Sequence, residues 1–121
     1  MTTPEGKIKR KVNQALKEFG DHVWKFMPVQ ASAFGMPALD YLLCVNKRFV
    51  AIETKAPNKE PTKRQLQTID AICKAGGVVF IVDDEASLQQ MMVVLRGFTN
   101  LDQTQENPPT SRRGDRAIIF D

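Results

Sequence analysis

The apolar positions of this chain fall into short blocks whose period switches between that of a helix and that of a strand. From Pro4 onward, Ile8, Val12, Ala15, Leu16 and Phe19 recur every three or four positions and share one helical face. Thr3 can cap this helix with Pro4 at its first position, and Gly20 ends the run. Glu5 falls on the apolar stripe, whereas Lys7, Arg10, Lys11 and Lys17 lie opposite it. "HVWKFMPV" (22–29) then alternates as a strand does, with Trp24 read as core. After a loop of small residues, "QASAFGMP", come the strand blocks "LDYLLCV" (39–45) and "RFVAIETK" (48–55). They flank Asn46-Lys47, which predicts a tight hairpin, and Phe49, Val50 and Ile52 read as buried.

The loop "APNKEP" leads to a second helical block, "TKRQLQTIDAICKAGG". Its spacing turns Leu66, Ile69, Ile72 and Cys73 inward, and the double glycine stops it. "VVFIV" (78–82) has the all-apolar character of a strand covered on both faces. "DEASLQQMMVVLRG" is a last helix with Leu88, Met91, Met92 and Leu95 as core filler. The composition shifts at Thr99: "TNLDQTQENPPTSRRG" is polar and aperiodic, and "RAIIFD" has enough apolar character for one short strand. The expected organisation is therefore one domain, 1–98, followed by a polar linker and basic C-terminal tail, 99–121. Helix, three strands, helix, strand and helix make an α/β fold, a small mixed sheet flanked by helices.

With 121 residues, 42% hydrophobic and 26% charged, the chain has the composition of one soluble domain with a real core. No apolar run approaches the roughly 20 residues that span a bilayer, and "MTTPEGKIKRK" lacks the apolar core of a signal peptide. The expectation is a cytoplasmic protein with no membrane partner. Cys44 and Cys73 lie inside apolar runs without metal-ligand spacing and read as buried free thiols. A net charge of +3 agrees with a polyanionic partner if the basic residues cluster.

One strand ending carries chemistry. Glu53 and Lys55, two residues apart, project to the same side of their strand, where buried charges are costly unless partnered. If Val45 opposes Arg48 across the hairpin, Asp40 opposes Glu53, and facing carboxylates repel. Lys55 can supply part of the missing positive charge and a divalent cation the rest. Oxygen ligands without Cys or His select Mg²⁺ or Mn²⁺, which keep waters that can become nucleophiles. A buried Asp–Lys–Glu salt-bridge network is the other reading of the same three residues. His22, after Asp21, reads as a surface residue.

Gly35-x-Pro37-x-x-Asp40, Glu53-x-Lys55-Ala-Pro, Pro61-Thr62-x-x-Gln65 and Ala75-Gly76-Gly77 occur in this order. Together they resemble the VRR-NUC branch of the PD-(D/E)xK nucleases, small phage-encoded stand-alone members above all, over residues 5 to 82. The resemblance implies a restriction-endonuclease-like αβββαβ core, here with an additional C-terminal helix and tail. It also implies Mg²⁺- or Mn²⁺-dependent hydrolysis of phosphodiester bonds in DNA, often flapped or branched, in a bacterial or phage-infected cell. Carried over, Asp40, Glu53 and the backbone carbonyl of Thr54 ligate the metal, and Lys55 orients or deprotonates the water. Glu5 matches an additional N-terminal acid that binds a second metal or its water; it is also a first-turn acid suited to the helix dipole. Gln65 matches a glutamine near the catalytic lysine, although Thr62-x-x-Gln65 also reads as a capping box.

Many relatives place the acid directly after the proline, where this chain has Ala38; Asp40, two residues on, keeps the same face. Lys7, Lys11, Lys59, Lys63 and Arg64 are candidate DNA contacts, with Arg112, Arg113 and Arg116 in the tail. The small residues of "QASAFG" would let a phosphate backbone approach. Cleavage of two strands from one-site subunits suggests a homodimer. Two other readings stand beside the DNA endonuclease: an RNA-directed nuclease of the same fold, and a catalytically silent DNA-binding or assembly module. The intact Asp40–Glu53–Lys55 set argues against the silent module.

Overall fold

Thr3 turns the chain into its first helix, accepting a hydrogen bond from the Gly6 amide at 2.9 Å. The structure, a computed structural model, describes residues 3–28, 39–99 and 118–119. Helix α1 (Pro4–Leu16) continues as a 3₁₀ segment (Lys17–His22), in which Gly20 adopts φ 53°. Strands β1 (Val23–Phe26), β2 (Tyr41–Val45) and β3 (Arg48–Thr54) follow. Next come α2 (Lys63–Lys74), β4 (Val78–Val82), α3 (Glu85–Thr99) and β5 (Ile118–Ile119).

The sheet has the order β1-β2-β3-β4-β5. Its pairs are antiparallel except β3 with β4, which are parallel because α2 carries the chain back between them. The β2–β3 hairpin turns at Asn46 and Lys47, both at positive φ (47° and 70°), as a two-residue primed turn requires. Val45 faces Arg48 and the register runs to Tyr41 opposite Ile52, as the sequence predicts. Helix α2 ends on Gly76 at φ 97°, with the Gly77 amide donating to the Ile72 carbonyl. A Cβ at Gly77 would meet Ile72 Cγ2 at 2.6 Å, so glycine is the residue that fits this close approach.

Side-chain alternation divides the core in two. One face of the sheet buries Tyr41, Leu43, Val45, Val50, Ile52 and Phe80 against Ile8, Val12 and Leu16 of α1, Phe19, and Leu88, Met91 and Leu95 of α3. Ala51, Val79 and Ile81 of the other face pack with Leu39 and with Ile69 and Cys73 of α2. The expected α/β class, mixed sheet and flanking helices are all present. So are the inward stripes of α1 and α3 and the complete burial of β4.

Four burial expectations are corrected. Trp24 is 64% exposed, Phe49 47% and Leu66 49%, and Cys44 is exposed, whereas Cys73 is buried as expected. One cause accounts for the three strand residues. Residues 24, 44 and 49 lie in register on the face that α2 covers, and α2 lies over the β3–β4 half of it. Periodicity identifies an apolar face but not which element lies on it.

Lys47 is a non-glycine residue in a left-handed conformation. Lys47→Gly should stabilise the protein by about 1 kcal/mol, read as a higher urea midpoint at unchanged slope. A lower midpoint would show that the turn is held by contacts of the lysine side chain.

Candidate active site

Strand β3 delivers Glu53 to the α2 side of the sheet at the strand's last turnings, in alternation with Ala51 and Phe49. Asp40 sits in a bend just before β2, one register step beyond the Tyr41–Ile52 pair, and so stands opposite Glu53. The two carboxylates do not simply face each other. Asp40 Oδ2 accepts from the Thr54 amide at 2.9 Å and from Thr54 Oγ1 at 2.6 Å. The Asp40 amide in turn donates to Glu53 Oε1 at 3.2 Å. The end of β3 is thereby locked to the start of β2 by side-chain bonds where ladder pairing has stopped.

Glu53 is 2% exposed, and its Oε2 lies 3.7 Å from Lys55 Nζ. Burial pushes its pKa up to about 8; the negative charge of Asp40 and a hydrogen bond with that side chain add to the rise. Lys55 and the Asp40 amide pull the other way and do not win. With only these neighbours, the protonated acid is favoured over the buried carboxylate. Such a site lacks positive charge.

A residue that the sequence reading passed over supplies some of it. Lys9 Nζ lies 3.5 Å from Asp40 Oδ1 and 3.6 Å from Glu5 Oε2, bridging α1 to the mouth of the site. The Tyr41 hydroxyl donates to the Lys9 carbonyl at 3.1 Å and anchors this turn of α1. Burial, and then Asp40, raise the Tyr41 pKa to about 12, so the phenol remains a donor. The signal available was the i,i+4 spacing of Glu5 and Lys9 beside the apolar stripe.

The other expected site residues are placed as follows. Glu5 reaches the site through Lys9. Thr54 is buried at the end of β3, with its N–H on Asp40. Gln65 closes a capping box: its Oε1 accepts from the Thr62 amide at 2.9 Å and its own amide donates to Thr62 Oγ1 at 3.2 Å. Lys11 pairs with Glu85 of α3 at 3.6 Å. Lys7, Lys59, Lys63 and Arg64 are exposed. Gly35, Pro37, the "QASAFG" loop, Arg112, Arg113 and Arg116 lie outside the described residues.

Among the described residues, no group of three or more His, Cys, Asp or Glu side chains is arranged to hold a metal ion. Asp40 and Glu53 nevertheless suit a hard divalent cation, because Mg²⁺ takes one or two carboxylates and completes its shell with water and substrate phosphate.

Compared with solved structures, the chain matches a VRR_NUC domain with a TM-score of 0.63 and 19% identity. The match covers 75% of this chain and 96% of that domain. No protein-family model matches the sequence, and no curated protein matches it at the level required. The chain has the VRR-NUC fold.

The Glu53 shift gives a signed pH dependence. An acid whose folded pKa lies above its unfolded value near 4.5 stabilises the fold below that value and loses this contribution as pH rises through about 8. In EDTA, Glu53→Gln should therefore gain melting temperature over the parent as pH rises across that window. A difference that stays constant with pH would remove the buried, proton-holding Glu53 from the account.

Proposed function

We propose that this chain is a Mg²⁺- or Mn²⁺-dependent endonuclease that hydrolyses phosphodiester bonds in DNA, with flapped or junction DNA as its preferred substrate. The observation that carries this reading is the Asp40–Glu53 pair with Lys55 at the end of β3, within a VRR-NUC fold. Asp40 and Glu53 would hold the cation, with the Thr54 carbonyl as a third ligand. When bound, the ion supplies Lewis acidity, lowering the pKa of water and offsetting charge on the phosphate.

The chain's own residues do the rest. The two Thr54 donors fix the rotamer of Asp40, so the carboxylate pair is organised before substrate arrives. Glu53 must give up its proton when a cation binds, which makes cation affinity rise with pH. Lys55 Nζ, on the same side as Glu53 and largely buried, is placed to orient the attacking water and to offset the charge that grows on the phosphorane-like transition state. Lys9 holds Asp40 Oδ1 in a partly exposed pair, an interaction weak enough to yield to a divalent ion. The homodimer expected from two-strand cleavage has no observation in its favour here and forms no part of this reading. No helix among the described residues is long and apolar enough to cross a membrane.

Labelled single-stranded, duplex, flap and four-way-junction DNA, with matching RNA, should be incubated with the protein with and without Mn²⁺. Cation-dependent cleavage of DNA is expected. If Mn²⁺ raises the melting temperature but no substrate is cut, the silent-module reading replaces this one. Lys55→Ala should abolish cleavage while keeping the Mn²⁺-induced rise in melting temperature, because the lysine acts on the reacting atoms and not on the ion. Near-normal turnover in that variant would sink its assignment. Affinity for uncleaved DNA in Ca²⁺ should fall steeply between about 50 and 200 mM salt as phosphate contacts release counterions.

A further inference from the structure

The sheet face that carries Glu53 continues, away from the carboxylates, into an exposed aromatic surface. Along β3 this face reads Phe49, Ala51, Glu53; along β2 and its entry it reads Cys44, Leu42, Asp40. On β1, Trp24 lies opposite Cys44 and Phe26 opposite Leu42. Helix α2 packs on Ala51, Val79 and Ile81, while Trp24, Phe26 and Phe49 are 64%, 50% and 47% exposed, Phe49 lying on β3 across Cys44 from Trp24. The Trp24 and Phe26 rings lie nearly parallel, with centroids 6.2 Å apart and planes 16° from each other.

By strand geometry, Phe26 is about 7 Å along and one strand spacing, about 5 Å, across from the position of Asp40. A strand whose phosphate met a cation at Asp40 and Glu53 would thus pass close to Phe26, with Trp24 about 7 Å further along β1. The same side of the sheet carries Lys63 and Arg64, both exposed on the first turn of α2. A polyanion complements these two cations. Flat rings on an open sheet beside basic side chains suit nucleobases of any sequence, since every base has a π-face.

We propose that Trp24, Phe26 and Phe49 form a stacking platform for unpaired nucleobases of the strand whose backbone reaches Asp40 and Glu53. This deepens the nuclease reading, since it names the part of the substrate that this face holds. It is tested by binding, independently of cleavage.

Trp24 is the single tryptophan of the chain, so its fluorescence reports directly on the platform. The full chain in EDTA should be titrated with oligothymidine about ten nucleotides long and with an abasic strand of equal length and charge. The thymidine strand should quench Trp24 emission to saturation; the abasic strand should bind more weakly and leave the emission unchanged. Followed by the anisotropy of a dye-labelled thymidine strand, Trp24→Ala and Phe26→Ala should each weaken binding about tenfold, the effect of one lost stack. Trp24→Phe should retain most of the affinity, and the melting temperatures should stay near that of the parent because the rings are exposed.

Equal binding of the two strands without quenching would overturn the platform. So would sedimentation showing a dimer that Trp24→Ala splits while DNA affinity is unchanged, since a second copy would then occupy the face. Failure of the platform with Mn²⁺-dependent cleavage intact leaves the nuclease reading standing. Quenching by the thymidine strand without cleavage of any substrate would support the platform and count against the chemistry.

Discussion

Burying the Glu53 carboxylate at the end of β3 is the constraint around which the rest is arranged. An uncompensated charge there would cost several kcal/mol, and the fold meets that cost from every direction open to it. The chain bends at Asp40 so that its amide can donate to Glu53 Oε1. Lys55 turns back along the same face toward Oε2. The Thr54 peptide and hydroxyl occupy Asp40 Oδ2, which keeps the second carboxylate at its post. Even so, desolvation outweighs the lysine and pushes the Glu53 pKa up to about 8. An apolar residue at position 53 would satisfy the sheet better.

The topology explains why this pair sits at the carboxyl end of β3. Parallel pairing of β3 with β4 requires a crossover, and α2 supplies it on one face of the sheet. The carboxyl ends of β3 and β4 therefore open at the same edge, with Lys55 N donating to the Val82 carbonyl at 3.0 Å to keep the two ends together. Ligands of open α/β sheets settle beyond the carboxyl ends of strands for this reason. Helix α1 crosses the opposite face, and its first turns reach the site only through Lys9 and the Tyr41 hydroxyl.

Much of this was legible in the sequence, for reasons that differ by residue. The hairpin register followed from two turn residues, Asn46 and Lys47, and it alone placed Asp40 opposite Glu53. The stripes of α1 and α3 were legible because each is buried along its whole length against one face. Trp24, Phe49 and Cys44 were misread because their burial depends on how far α2 extends over a neighbouring strand, which no local period encodes. Lys9 was missed for a related reason. It flanks the apolar stripe of α1, and its importance comes from Asp40, 31 positions further along the chain, which it meets only once the helix is docked.

Those misread positions and the site share an origin in the short reach of α2. A helix of 12 residues cannot roof every strand of this sheet, so its placement over β3 and β4 divides one face into a covered and an open part. The covered part supplies the low dielectric around Glu53 that raises its pKa. The open part leaves aromatic rings in water beside it, a cost that the surface of a soluble protein rarely carries in one contiguous patch. A longer helix would bury the rings and gain hydrophobic free energy. Burial at position 53 and exposure at positions 24, 26 and 49 are therefore two consequences of one boundary, the edge of α2.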